Sequence, residues 1–398
     1  MRICFVKMKN VEINLAKPAD DEIEITTIGP GFKNGESVLI HYGEGNWMII
    51  DSCKANNEVL PLEYLSAINV SLDNVKTVIC SHWHKDHYYG LHDILRNCQK
   101  ADFKIAKIGN FSNFVQYLLK ANEIQTNMAS GWKEFEKCLD VLERFGQRKP
   151  KYIYHDQLID SCDKYDVNLH CLGPSDEAMN AFDQLLVRID VNNPKEEKLK
   201  ILEENMTSLS VSLSYNDQTA LIGCDAEVNR KNKRALYNCR CDCNEAKISG
   251  LCNVIHDSRV FSKLIPFNFV KIVHHSSVTG YCPKFWEEDV DDKNLIGVTS
   301  IFKTNNGENL PQKDMLQRHQ SHCSHHYITC NKLENDTSLL TNTNDAVIEI
   351  KENDTPGIVV CRWNPNDKEW SSYVFGSAIE VNDDFINMYH SDMLSSIK

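Results

Sequence analysis

Six consecutive positions, His82-Trp83-His84-Lys85-Asp86-His87, carry three imidazoles and a carboxylate, directly after the apolar run Val75-Lys76-Thr77-Val78-Ile79-Cys80. That run is rich in β-branched residues and reads as a buried strand. Tyr88 to Leu95 reads as the start of a helix. The cluster therefore lies on a strand-to-helix loop at the end of a sheet, where a rigid scaffold presents ligands and catalytic groups. In extended chain, residues i and i+2 point the same way, so His82 and His84 can reach one metal ion together. Asp86 and His87 follow where the chain turns, and can face a second ion. Imidazole nitrogen and carboxylate oxygen suit zinc, manganese and iron. A chance polar loop is the competing reading. One histidine would favour it; H-x-H-x-D-H behind a buried strand argues for metal.

Two downstream blocks complete the pattern. Thr207 to Tyr215 alternates small polar with apolar residues, the mark of a strand with one buried face. Asn216-Asp217-Gln218 turns it, and Thr219 to Cys224 returns with Asp225-Ala226-Glu227 at its tip. A carboxylate between two cations can bridge them, one oxygen to each, and this is favoured for Asp225 over a helix cap. Phe269 to Val273 is a further buried strand and ends in His274-His275-Ser276-Ser277. One of the two histidines can complete the second metal. The reading leans to His274, with the other placed to contact substrate. Upstream, Glu22–Ile28, Glu36–Tyr42 and Trp47–Ile50 read as strands, and the last delivers Asp51. An aspartate there can orient a metal-bound histidine from behind.

The rest of the chain reads as scaffold. Helical periodicity covers 61–68, 114–122, 131–145 and 178–190, with strands near 102–108, 151–155, 167–175 and 295–303. His155 reads as structural. Residues 192–204 read as a surface insertion. Cys239, Cys241, Cys243 and Cys252 fall in a second one, 228–262. Their C-x-C-x-C spacing is not the usual zinc knuckle, so chance clustering is preferred over a structural zinc shared with His256. The tract His319, His322, Cys323, His325, His326 reads as a solvated helix-to-strand loop. Terminal strands are expected at 347–350, 357–363 and 369–375.

The 398 residues are 42% hydrophobic, enough for a large core, and the formal net charge of −13 argues against a general nucleic-acid coat. A local basic groove is still compatible with that charge. The amino terminus has no secretory core, and no stretch approaches the roughly 20 apolar residues of a membrane span. With 16 cysteines, the expectation is a reducing, cytoplasmic location in which they are mostly free thiols or packing residues.

Asp51, the His82–His87 element, Ile222-Gly223-Cys224-Asp225-Ala226-Glu227 and His274-His275-Ser276-Ser277, in that order, resemble the metallo-β-lactamase superfamily. Within it they look most like the hydrolase domain of the DNA-uptake channel protein ComEC. The resemblance implies an α/β, four-layer αββα sandwich with the metals at one edge. It assigns residues 22–350 to a hydrolase domain, with the 228–262 insertion inside it and residues 351–398 as a C-terminal β extension. It also implies two divalent ions, zinc before manganese: His82 and His84 on one, Asp86, His87 and one of His274 and His275 on the other, Asp225 bridging. Three glycines usual in the family are replaced. Cys224 precedes the bridging aspartate, Ser276 follows the histidine pair, and Ser52-Cys53 follows Asp51.

Two adjacent cations acidify a shared water and polarise a substrate oxygen. Asp86 is then expected to orient the nucleophile, His275 or Ser277 to hydrogen-bond a phosphate oxygen, and Lys85 to add charge. The leading expectation is a metal-dependent phosphodiesterase acting on nucleic acid or a nucleotide. The alternatives are a hydrolase of another ester, thioester or amide, and a non-catalytic metal-binding module for a protein partner.

Overall fold

The computed structural model describes residues 6–8, 11–31, 35–55, 57–109, 114–116, 129–146, 148–188, 204–227, 249–303, 309–329 and 355–387. Cys239, Cys241 and Cys243, residues 192–203 of the insertion expected at 192–204, and the strand expected at 347–350 lie outside them.

The first half of the chain runs β1 (Ile23–Gly29), β2 (Ser37–His41), β3 (Trp47–Ile50), α1 (Leu60–Ala67), β4 (Val75–Cys80), α2 (Lys85–Tyr88), α3 (Leu91–Asn97), β5 (Asp102–Ala106), α4 (Ala129–Arg144) and β6 (Lys151–Ile153). Then follow β7 (Gln157–Cys162), β8 (Val167–Gly173), α5 (Asp176–Arg188), β9 (Ser210–Tyr215), β10 (Gln218–Ile222), α6 (Leu251–Asp257), β11 (Phe269–Lys271), α7 (Pro283–Glu288), β12 (Ile296–Thr299), α8 (Lys313–His322), β13 (His325–Ile328), β14 (Gly357–Asn364), β15 (Glu369–Gly376) and β16 (Ile379–Glu380).

The strands form two eight-stranded sheets, β6-β5-β4-β3-β2-β1-β14-β15 and β7-β8-β9-β10-β11-β12-β13-β16. Both are mixed. In the first, β3 runs antiparallel to β2 and parallel to β4. In the second, β10 runs antiparallel to β9 and parallel to β11. Each sheet thus switches from antiparallel to parallel near its middle, and the carboxyl ends at such a switch leave a crevice for ligands.

Burial sorts the layers. Ile25, Ile40, Met48 and Ile50 of the first sheet pack against Leu169, Val211, Leu213, Ile222 and Phe269 of the second, making the inner core. The outer face of the first sheet is covered by α1, α3 and α4, through Tyr64, Leu65, Leu91, Ile94, Phe135 and Leu142. The outer face of the second is covered by α6 and α7, through Leu251, Val254, Phe285 and Trp286. This is the four-layer αββα sandwich. Phe135, Cys138 and Leu142 recur at helical spacing and are buried, so the apolar stripe of α4 is core.

Residues 357–376 form β14 and β15, which extend the first sheet beyond β1. Buried Arg362 of β14 ties it to β1 through a 2.6 Å bond from Nε to Glu24 Oε2, and Tyr64 donates to the other oxygen of Glu24 at 2.6 Å. The described cysteines are free thiols, buried except for the half-buried Cys323. Among the described residues no helix is long and apolar enough to cross a membrane.

Candidate metal centre

The histidine loop is held by its one apolar residue. Trp83 turns away from its neighbours into the outer core, edge-on to Phe135 at 4.6 Å between ring centroids. Alternation then sends His82 and His84 the other way, and His82 Nε2 lies 3.1 Å from His84 Nδ1. The chain next turns into α2, carrying Asp86 and His87. Gly35, at φ +86°, lets the β1–β2 connection press on this turn: a Cβ there would strike the Asp86 carbonyl. Glu36 N–H donates to that same carbonyl at 2.9 Å.

Asp51 closes β3 and sits behind the cluster. One oxygen accepts from Ser81 N–H at 2.7 Å. The other accepts from the Ser81 hydroxyl at 2.6 Å and lies 2.8 Å from His87 Nδ1. With Nδ1–H committed to Asp51, His87 turns Nε2 towards Asp225.

Asp225 enters from the second sheet, just past β10. Its Oδ2 lies 3.2 Å from His87 Nε2 and 3.7 Å from His82 Nε2, and its Oδ1 lies 3.7 Å from His275 Nε2. Asp86 Oδ2 is 3.4 Å from His87 Nε2 and 3.5 Å from His275 Nε2. Two groups of ligand atoms result, each contained within 4.8 Å: Asp86, His87, Asp225 and His275, and His82, His84 and Asp225. Asp225 belongs to both.

The histidine pair divides. His275, rather than His274, joins the first of these groups. His274 Nε2 stands 4.0 Å from Asp225 Oδ2, while its Nδ1 lies 2.8 Å from Ser277 Oγ and 3.1 Å from Glu227 Oε2. Ser277 is buried behind His274; its hydroxyl also accepts from Gly280 N–H at 3.2 Å and meets Thr279 Oγ1 at 3.0 Å. Ser277 thus contacts the Nδ1 side of the His274 ring, whereas Asp225 lies on its Nε2 side. Lys85 is exposed on α2 with its ammonium 5.4 Å from the Tyr89 ring centroid.

Several partners had no sequence signal of their own. His275 Nδ1 lies 3.0 Å from Ser300 Oγ, which in turn donates to Glu36, and Glu36 pairs with Lys271 Nζ at 2.8 Å. Asn205 donates to Glu227 at 2.9 Å, and Asp225 N–H donates to Ser208 Oγ at 3.0 Å. All of these are buried.

The electrostatics ask for positive charge. Burial opposes a proton on His87, yet the carboxylates of Asp225, Asp86 and Asp51 outweigh it and hold the imidazole well above its usual range. Burial, His87 and His84 together push His82 far down. Three buried atoms, His87 Nε2, His275 Nε2 and Asp225 Oδ1, make no hydrogen bond. Leaving such atoms unpaired costs about 1–3 kcal/mol each. Imidazole nitrogens and carboxylate oxygens converging on common points, with acceptors left over, fit divalent cations.

Residues 30–128 match the model of the metallo-beta-lactamase superfamily. No curated protein matches. Among solved structures, the Rm3 metallo-beta-lactamase is 15% identical, over 64% of this chain and 78% of that one, at a TM-score of 0.31. MEM-A1, a subclass B3 metallo-beta-lactamase from a soil metagenome library, is 12% identical over 62% and 75%, at 0.28. The flavodiiron protein of Giardia intestinalis is 16% identical over 48% and 32%, at 0.26.

Proposed function

We propose that the protein is a metal-dependent hydrolase with a two-ion centre that cleaves a phosphodiester in a nucleotide or nucleic acid. The observation that carries the reading is Asp225 shared between two groups of buried ligand atoms. His82 and His84 would hold one ion and Asp86, His87 and His275 the other, with Asp225 common to both. Zinc or manganese suits this donor set. Bound divalent ions supply Lewis acidity and a water acidified to hydroxide near neutral pH.

The chain's own residues do the rest. Asp51 fixes the His87 ring so that Nε2 faces inward. Ser300 does the same for His275. Asp86, on the rim of the centre, is placed to accept the proton of an attacking water. Lys85, the exposed cation nearest this loop in sequence, would draw an anionic substrate. The phosphodiester preference rests on the ComEC-like tip Asp225-Ala226-Glu227 and on the histidine pair followed by Ser276-Ser277. The buried free thiols support a reducing compartment as the site of action.

Purified protein is expected to hold two divalent ions and to cleave bis-p-nitrophenyl phosphate in their presence. Asp86→Ala should lower that turnover by at least a hundredfold, and His84→Ala with Asp225→Ala should abolish ion binding. Unchanged ion content in that double variant would sink the assignment. Turnover of a thioester or lactam, with none of the phosphodiester, would transfer the centre to another hydrolytic class.

A further inference from the structure

His274, His275 and Ser276 have φ of +48°, +51° and +61°. Three consecutive residues with a Cβ thus occupy the left-handed region, which disfavours every side chain but glycine. The run sends the two imidazoles to opposite oxygens of Asp225: His275 Nε2 to Oδ1 and His274 Nε2 to Oδ2. Two backbone bonds brace its flanks, from His274 N–H to the Cys224 carbonyl at 2.7 Å and from Ser277 N–H to the His274 carbonyl at 2.9 Å.

Ser276 is held by its side chain. Its hydroxyl, fully buried, lies 2.6 Å from Nδ1 of His319. His319 projects from α8 and is itself buried, with its ring between Trp286 at 4.6 Å and Tyr281 at 5.4 Å. That packing leaves the imidazole little freedom. The bond therefore ties a left-handed serine to a rigid point outside the metal centre.

We propose that His319 is a positioning residue: through Ser276 it holds the left-handed turn that sets His275 against Asp225. The proposal rests on the two-ion reading. A glycine at 276 would adopt the same φ without strain and would need no such tie. His319 thus stands in for the glycine this chain lacks.

The test measures zinc affinity of the full chain by competition with a chromophoric chelator, with folding checked by thermal denaturation. His319→Phe keeps a ring between Trp286 and Tyr281 but removes the bond. It is expected to weaken zinc binding about 10- to 100-fold, the usual cost of losing a group that orients a ligand. His319→Asn, which retains a polar atom near the position of Nδ1, is expected to stay within about threefold of wild type. Ser276→Gly should do the same, and adding it to His319→Phe should restore affinity to that range. If His319→Phe binds zinc like wild type, the proposal is wrong. If the double variant is as weak as His319→Phe alone, the loss came from repacking and the proposal is equally wrong. Wild type that binds no zinc would overturn the two-ion reading itself, an outcome separate from the other two.

Discussion

His41 illustrates how a single buried ring ties stability to pH. Its Nδ1 lies 2.8 Å from the Glu22 carbonyl, and its Nε2 accepts from Gly45 N–H at 3.1 Å. A proton on Nε2 would break the second bond. Burial accordingly lowers its pKa from 6.5 to about 4. Because the unfolded chain takes up the proton first, the stabilisation is complete above the unfolded value and is lost as pH falls towards 4. At about 1.4 kcal/mol per unit, the loss reaches about 2 kcal/mol by pH 5. Urea unfolding at pH 7.5 and 5 should show it, with a smaller difference in His41→Gln; an equal difference would remove His41 from the account. At the candidate metal centre, the clustering of His82, His84, Asp86 and His87 was legible because one loop carries them. Glu36 and Ser300 were not, since they meet His275 only when the chain has folded. The choice between His274 and His275 was hidden for another reason: it is made by backbone angles that residue types do not announce.

Elements with a clean period were the readable ones. The alternating Thr207–Tyr215 run contains β9, and the helix expected at 178–190 is α5, begun two residues earlier with Ser175 capping Ala178 N–H at 3.1 Å. β7 escaped because the register shift between Leu158 and Asp160 breaks its alternation. The histidine tract 319–326 is the main correction. It was expected to be a solvated helix-to-strand loop, yet α8 extends to His322 and β13 starts at His325, and His319 and His326 are fully buried while His325 is exposed. His326 Nε2 lies 2.9 Å from Thr299 Oγ1. Histidine counts as polar in a hydropathy pattern, but a neutral ring with a partner enters a core readily. Between elements, Lys271 of β11 reaches Glu36 beside β2, both fully buried. Lys271→Met would strand that carboxylate and should cost about 3–5 kcal/mol in urea unfolding. Lys271→Met with Glu36→Leu should recover part of the loss; a double variant weaker than the single would contradict the pairing.

At the scale of the whole molecule, the two sheets follow one plan. Each presents the carboxyl ends of its switch strands to the same edge: β3 and β4 bring Asp51 and His82 to His87, β10 and β11 bring Asp225 and His275. The α/β alternation and these strand ends were visible in the sequence, whereas the order of strands across a sheet was not, because no local pattern records which strand lies beside which. The last hairpin shows this. β14 pairs with β1 along seven positions, from Gly357 opposite Gly29 to Trp363 opposite Ile23. Ending the chain at residue 356 would bare that edge, and exposed edges invite pairing with other chains. The truncated protein should elute from a sizing column as aggregate; a stable monomer with unchanged circular dichroism would show that the hairpin is dispensable. The division of ligands has a consequence in time. One sheet carries the histidine loop and the other carries Asp225, so neither half of the molecule can form the centre while it folds alone. An ion bound by the proposed centre would therefore join the two sheets, and could be captured only once they had docked.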